Sequence, residues 1–373
     1  MDFDAKNIAA PAVRELAPYV PGKPIEELER EYGVRDSIKL ASNENPLGPS
    51  PKALAALAAA AGDIWLYPDG SGFGLRAALA KRHGVPGEWI TLGNGSNDVL
   101  VLLAEAFLTP QSEAVCSEYA FAIYAIAARA TGATVRIAPA FPTDHPMAFG
   151  HDVEAMARLV NERTRLVYIG NPNNPTGTWI EAGALEAFIA SLPAHTIVVV
   201  DQAYFEYVED ARYPDAADWL ARYPNLVVTR TFSKAFGLAG LRVGYAISHP
   251  QVADLLNRVR QPFNVNSLAQ AAAIAALEDP AHLERSVAAN RAGLVQLAQG
   301  FDRLGVRHFP SVANFVLVDC GRPAGAVYEA MLRHGVIVRP LGGYGMPNHL
   351  RITVGTTTQN ERMLEALQQA LAG

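Results

Sequence analysis

Apolar residues follow two alternating patterns between residues 89 and 247 of this chain. Short apolar runs, such as residues 196–200 and 225–231, are typical of strands buried on both faces. Stretches with apolar residues on one face only, such as residues 99–107, are typical of helices. Because the two kinds of segment alternate, the pattern predicts an α/β fold with a mostly parallel sheet and helices on both faces.

The pattern changes after residue 250. Helical periodicity dominates from residue 250 to about residue 304. The strands predicted beyond it are residues 314–318, 336–339 and 350–354, with a helix at about residues 325–334. This second pattern predicts a smaller α/β domain at the carboxyl end of the chain.

Composition narrows the classes of function. The net charge of −6 and the lack of a basic run argue against a nucleic-acid partner. Cys116 and Cys320 are too few for a disulfide framework, and we expect reduced thiols in a cytoplasmic protein. The chain starts without the pattern of a secretory signal and has no apolar run that could span a membrane. The nine histidines lack ligand spacing, so no metal site is expected.

A carboxylate and an amine follow two of the predicted buried strands. Asp201 ends the strand at residues 196–200, and Lys234 lies three residues beyond residues 225–231. The carboxyl ends of parallel strands face the ligand crevice, so we expect both side chains in one site, with Arg242 near them. An isolated Ser-Lys pair is usually a surface charge, but these flanking strands favour a functional site.

These three side chains match the chemical handles of pyridoxal phosphate (PLP). Its aldehyde condenses with a lysine amine, which Lys234 can supply. Its ring nitrogen accepts electrons when protonated, and the Asp201 carboxylate favours that state. Its dianionic phosphate suits a guanidinium, here Arg242, together with backbone N–H groups at a helix N-terminus.

A glycine-containing turn at residues 92–98 precedes the helix that carries residues 99–107. We expect Gly95, Ser96 and Asn97 to supply the backbone donors for the phosphate. A plain strand-to-helix connection with a Ser or Asn cap is the alternative.

Two further residues are placed to bind the phenolic oxygen of the ring. Asn174 lies in a proline-stiffened turn after the strand at residues 164–169, where a plain loop is the alternative. Tyr204 lies three residues beyond Asp201, where a buried structural tyrosine is the alternative.

The chain resembles the fold type I PLP-dependent aminotransferases and, within them, the histidinol-phosphate aminotransferases. The motifs that carry the resemblance are residues 39–48, 67–70, 173–177, 201–204, 233–242 and 350–355. Their order and spacing are specific to the superfamily. The resemblance implies an N-terminal segment that joins the small domain (residues 1–42), a large PLP-binding domain (43–262) and a C-terminal small domain (263–373).

The resemblance also implies roles for individual residues. The cofactor would contact Tyr67, Gly95, Ser96, Asn97, Phe121, Asn174, Asp201, Tyr204, Ser233, Lys234 and Arg242. Phe121 would stack on the ring, where many relatives carry a tyrosine. Tyr67 would reach the phosphate from the neighbouring subunit of a homodimer. Gln202 replaces a more usual glutamate and is not expected to touch the cofactor.

For the substrate, the resemblance points to Tyr19, Asn43, Arg339 and Arg351. Relatives bind carboxylates through the equivalent of Arg351, and the histidinol-phosphate enzymes bind the substrate phosphate there too. A planar guanidinium pairs with either anion, although a surface ion pair is the alternative for Arg339 and Arg351. The implied reaction is transamination from histidinol phosphate to 2-oxoglutarate in histidine biosynthesis, with Lys234 as general base and acid.

Related activities remain open at this point. An aromatic amino-acid aminotransferase would share the cofactor residues, and so would a threonine-phosphate decarboxylase. Transcription regulators with aminotransferase-like domains are a more distant alternative. They need a fused DNA-binding domain, and no spare basic segment precedes Asn43.

Overall fold

The computed structural model describes residues 3–19 and 21–372. The helices are α1 (Ala5–Ile8), α2 (Pro11–Arg14), α3 (Ile25–Tyr32), α4 (Pro51–Ala60), α5 (Phe73–His83), α6 (Ser96–Phe107), α7 (Ala122–Ala130), α8 (Val153–Leu159), α9 (Ala182–Ser191), α10 (Pro250–Val259), α11 (Ser267–Leu277), α12 (Pro280–Leu304), α13 (Ala324–Arg333) and α14 (Thr357–Ala372). The strands are β1 (Ile38–Lys39), β2 (Ile90–Gly93), β3 (Glu113–Ser117), β4 (Thr134–Ala138), β5 (Thr164–Gly170), β6 (Ile197–Asp201), β7 (Leu226–Thr231), β8 (Gly244–Ser248), β9 (Arg307–His308), β10 (Phe315–Asp319), β11 (Val336–Ile337), β12 (Arg339–Pro340) and β13 (His349–Thr353). Within the described ranges, no helix combines the length and apolar composition that crossing a bilayer requires.

A seven-stranded sheet forms the centre of the molecule, in the order β2-β8-β7-β6-β5-β3-β4. Strands β7, β6, β5, β3 and β4 pair in parallel, whereas β8 is antiparallel to both of its neighbours. The predicted α/β fold with a mostly parallel sheet is confirmed. Parallel strands end at the same edge of a sheet. Gly170 lies opposite Asp201, and Asp201 lies opposite Thr229, two residues before β7 ends at Thr231.

The central strands are apolar throughout because helices cover both faces of the sheet. Val198 and Val200 belong to the apolar cluster on one face, and Val199 belongs to the cluster on the other. Successive strand residues point to opposite faces, so a strand buried on both sides shows no polar alternation. The sheet is thereby a rigid platform for the loops at its carboxyl edge.

The carboxyl-terminal third contains a second sheet, antiparallel in the order β12-β13-β10-β9. The prediction of a single strand at residues 336–339 is wrong, because two short strands lie there. Residues 336–337 form β11, which pairs in parallel with β1 of the N-terminal segment, whereas β12 pairs with β13. An apolar run does not specify its hydrogen-bond partner, so the pattern could not show that the chain changes sheets at Val338.

Candidate active site

A cavity of about 220 Å³ opens at the carboxyl edge of the central sheet. The predicted residues that line it are Tyr19, Asn43, Ser96, Asn97, Phe121, Asn174, Asp201, Tyr204, Ser233, Lys234, Arg242, Arg339 and Arg351. They come from loops after several strands and from both sheets. The structure therefore brings nearly all of the predicted site residues together.

Lys234 lies at the cavity in the loop after β7. Its Nζ donates a hydrogen bond to the carbonyl oxygen of Ser42, 3.0 Å away. Burial lowers the pKa of Lys234 to about 8, and the positive charges of Arg351 and Arg242 add to this, while Glu44 and Asp201 oppose it. Near neutral pH this amine is much easier to deprotonate than an ordinary lysine.

Asp201 ends β6 and is buried at the cavity. Its Oδ2 accepts a hydrogen bond from the Tyr124 hydroxyl and its Oδ1 accepts one from Thr229 Oγ1, each at 2.9 Å. Burial raises the pKa of the carboxyl group. These two hydrogen bonds, a third from the backbone of Ala203 and the charge of Lys234 oppose that rise. The carboxylate is thus held in one orientation.

The two hydroxyl partners of Asp201 were not among the predicted site residues. Thr229 lies opposite Asp201 in the β6–β7 register, so strand pairing could have identified it. Tyr124 lies in α7, where an aromatic residue reads as ordinary helix core.

Gly95 and Arg242 form a cradle at the start of α6. Gly95 has φ 85° and ψ 160°, a conformation essentially restricted to glycine. A Cβ atom there would collide with Nη2 of Arg242, so glycine lets the guanidinium approach the backbone. Nη1 of Arg242 donates to Ser233 Oγ at 3.1 Å. Because the first amides of a helix lack intrahelical partners, Ser96 and Asn97 add N–H donors beside this guanidinium.

Asn43 and Tyr204 are linked beside the cavity. Asn43 Nδ2 donates to the Tyr204 hydroxyl oxygen at 2.8 Å, and Asn43 Oδ1 accepts from Thr353 Oγ1 at 3.0 Å. Burial raises the pKa of Tyr204 to about 12, so the phenol keeps its proton. An amide N–H only donates, so the Tyr204 O–H is left to serve another acceptor. A substrate role for Asn43 stays a prediction.

Arg351 lies on β13 and is only 5% exposed. Its guanidinium donates to Asn174 Oδ1 and to the carbonyl oxygen of Ala41. Neither Arg351 nor Arg339 forms an ion pair within residues 3–19 and 21–372, and Nε of Arg351 is buried without a hydrogen-bond partner there. The surface ion pair is thereby excluded for Arg351, which has capacity for an anion.

Arg339 and Tyr19 border the same cavity. The Arg339 guanidinium carbon lies 5.4 Å from the centre of the Tyr19 ring, a cation–π contact. Tyr19 is 43% exposed. This part of the cavity is consequently more open than the surroundings of Asp201.

Of three other positions considered in the sequence analysis, one lines the cavity and two do not. Phe121 immediately precedes α7 and lines the cavity. Tyr67 is 82% exposed and stacks on Phe263, away from the cavity of its own chain, so its contribution across a dimer stays a prediction. Gln202 donates to the carbonyl oxygen of Pro214 and to Tyr213, not into the cavity.

Comparison with known proteins places this geometry in a family. The family model for aminotransferase class I and II matches residues 35–367. Histidinol-phosphate aminotransferase 1 of Nitrosococcus oceani is 56% identical over 98% of this chain and 97% of its own length. Histidinol-phosphate aminotransferase 2 of Pseudomonas aeruginosa is 55% identical over 99% of both chains.

A solved structure agrees with these sequence comparisons. The crystal structure of histidinol-phosphate aminotransferase from Sinorhizobium meliloti, in complex with pyridoxal-5'-phosphate, superimposes with a TM-score of 0.89 at 30% identity. The alignment covers 98% of this chain and 97% of that one. The predicted fold type I architecture and the predicted aminotransferase class are both confirmed. The chain belongs to the class I and II aminotransferase family.

Proposed function

We propose that this enzyme transfers an amino group from histidinol phosphate to 2-oxoglutarate with PLP as its cofactor, giving imidazole acetol phosphate and glutamate. One observation carries the proposal. A single cavity holds the Lys234 amine together with two separately supported guanidinium groups, those of Arg242 and Arg351. One serves the cofactor phosphate and the other serves a substrate that carries its own phosphate. The names of the relatives at 55–56% identity point to the same reaction.

The residues fit PLP on the cofactor side. The cradle of Gly95 and Arg242 suits a dianionic phosphate, and a Cβ atom at position 95 would fill it. The Asp201 carboxylate, fixed by two hydroxyl groups, suits a protonated ring nitrogen. Tyr204 and Asn174 are the proposed partners of the phenolic oxygen, and Phe121 is the proposed stacking residue. When bound, PLP supplies an aldehyde that joins an amine and a ring that accepts electrons.

Lys234 carries the protons in this proposal. Its Nζ would hold the cofactor through the aldehyde, and the substrate amine would take its place there. The free Nζ would then serve as general base and acid for the proton on the substrate carbon. A pKa of about 8 suits both steps, since the neutral and charged forms of the amine are both accessible near pH 8.

Arg351 and Arg339 orient the substrates. Arg351 is already held by Asn174 and Ala41, so only a small rearrangement is needed when an anion binds. A planar guanidinium pairs equally well with the phosphate of one substrate and a carboxylate of the other. This explains how one site serves both half-reactions.

Homodimer formation and a cytoplasmic location belong to the same proposal. Several large apolar side chains near Tyr67 are exposed in the single chain, namely Ile64, Trp65, Leu66 and Phe73. A surface of this kind is typical of a protein–protein interface. We propose that the partner covers it and that Tyr67 thereby reaches the partner's cofactor phosphate. The two unpaired cysteines, Cys116 and Cys320, suit a reducing compartment.

A panel of amino donors tests the proposal. Histidinol phosphate, phenylalanine, tyrosine and threonine phosphate are each assayed with 2-oxoglutarate, and an absorbance spectrum is taken before and after each amine. We expect the highest kcat/KM with histidinol phosphate and a spectral change that 2-oxoglutarate reverses. A higher kcat/KM for an aromatic amino acid, or release of carbon dioxide from threonine phosphate, would contradict the proposal.

A further inference from the structure

We infer that Tyr124 and Thr229 are positioning residues, which hold the Asp201 carboxylate ionised and correctly oriented for the ring nitrogen of the cofactor. This inference rests on the proposed function because it concerns the same cofactor. It assigns a role in the reaction to two residues that the sequence motifs do not contain.

Each oxygen of the carboxylate has one side-chain donor, and a hydrogen bond from the backbone of Ala203 also favours the charged form of Asp201. Tyr124 approaches Oδ2 from α7 and Thr229 approaches Oδ1 from the neighbouring strand β7, both at 2.9 Å. Tyr124 and Thr229 are buried, so little water reaches these bonds although Tyr124 borders the cavity. Two donors from different elements fix both the position and the rotation of the carboxylate.

The ring of Tyr124 is itself held in place. It stacks on Tyr168 with the ring centres 5.0 Å apart and the planes within 3° of each other. It also meets Phe121, the proposed stacking residue for the cofactor, edge to face at 5.7 Å. Tyr124 therefore contacts both Asp201, which would pair with the ring nitrogen, and Phe121, which would stack on the ring.

The chemistry of the donors sets the direction of both hydrogen bonds. Burial raises the pKa of Tyr124 well above its ordinary value, so its hydroxyl keeps the proton and donates it. An ionised carboxylate only accepts, so Thr229 must donate as well. Each bond stabilises the charged form of Asp201 and opposes burial, which favours protonation. Loss of either donor should therefore raise the pKa of Asp201.

Other groups near this pair also titrate. Lys234 and Tyr204 interact electrostatically with Asp201, and Cys116 interacts in the same way with Tyr124, so each pair affects the pKa values of its members. The phosphate group of PLP also titrates, and this too would affect PLP affinity as the pH changes. All of these are common to the wild type and to variants at positions 124, 168 and 229, so differences between variants report on the two hydroxyl groups.

The experiment measures PLP binding to the apoenzyme from pH 5 to pH 9. Tyr124→Phe and Thr229→Val each remove one hydroxyl from Asp201. Tyr168→Phe makes the same chemical change in the stacked partner, whose hydroxyl donates to the Leu100 carbonyl oxygen at 3.4 Å and not to Asp201. Thr229→Ser keeps the hydroxyl. We expect the pH below which PLP affinity falls to rise by roughly one unit in the first two variants and to stay unchanged in the other two.

The outcomes separate this inference from the proposed function. If wild-type apoenzyme does not bind PLP, the proposed function and this inference both fail. If the wild type binds PLP but Tyr124→Phe and Tyr168→Phe share one pH profile, and Thr229→Val matches Thr229→Ser, only this inference is overturned. Thermal unfolding shows which variants are folded, and the Thr229 pair decides the question if Tyr124→Phe does not fold.

Discussion

The cofactor side and the substrate side of this cavity are built differently. The cofactor side consists of Asp201, the Gly95 turn and Arg242, all attached to strands of the central sheet or to the loops between them. The substrate side consists of Arg351 and Arg339 on the small antiparallel sheet, with Tyr19 from the N-terminal segment. The first is preorganised by one buried sheet, whereas the second is assembled from distant parts of the chain.

This difference has a functional consequence. Asp201 and Arg242 each have protein hydrogen-bond partners, so little ordering is needed when the cofactor binds. Tyr19 is partly exposed, and its described contact with Arg339 is a cation–π interaction. We expect changes on the cofactor side to alter PLP affinity and changes on the substrate side to alter KM.

The largest effect should follow loss of the amine that both sides share. Lys234→Ala removes the proposed covalent partner and the proton carrier, so we expect kcat to fall by about 1,000-fold or more. Steady-state transamination with histidinol phosphate measures it. Lys52→Ala is the matched control, since Lys52 lies on the surface, where it donates to the Glu278 carbonyl oxygen. A near-native rate for Lys234→Ala would refute the assigned role.

Arg351→Lys tests the substrate side. It keeps the positive charge but loses the paired geometry of the guanidinium. We expect kcat/KM to fall roughly 10- to 100-fold for both histidinol phosphate and 2-oxoglutarate, with PLP affinity unchanged. Arg258→Lys, at an exposed ion pair with Asp254, should leave both substrates unaffected. A loss confined to one substrate would mean that Arg351 does not serve both half-reactions.

Gly95→Ala tests the cofactor side and should have the smallest effect on turnover. The added Cβ collides with the Arg242 guanidinium and forces alanine into a conformation that strongly favours glycine. We expect PLP affinity to fall roughly tenfold or more, while kcat at saturating PLP changes much less. In Gly183→Ala the new Cβ meets open space within α9, so PLP affinity should not change. Equal PLP affinity in the two variants would argue against the cradle.

The cofactor side can be predicted from the sequence because the ends of buried strands are recognisable in it. Asp201 and Lys234 follow continuous apolar runs, and the carboxyl ends of parallel strands meet at one edge. Pairing the strands in register would also identify Thr229 as a neighbour of Asp201. Tyr124 cannot be identified in this way, because the position of a residue in a helix does not reveal which strand end its side chain reaches.

The substrate side was less accessible to sequence reasoning. Only the resemblance to a known family points to Arg351, and its contacts with Asn174 and Ala41 join residues 177 and 310 positions apart. Such pairings depend on how the small sheet sits beside the large one, which no local pattern specifies. The division of residues 336–339 between two sheets has the same cause.

The central claim is that Lys234 forms the covalent link to PLP. The direct measurement is reduction of the holoenzyme with borohydride, followed by digestion and mass spectrometry. We predict that the peptide containing Lys234 carries the reduced cofactor and that the peptides containing the other lysines do not. Attachment at another lysine, or no attachment in an enzyme that transaminates, would contradict the account.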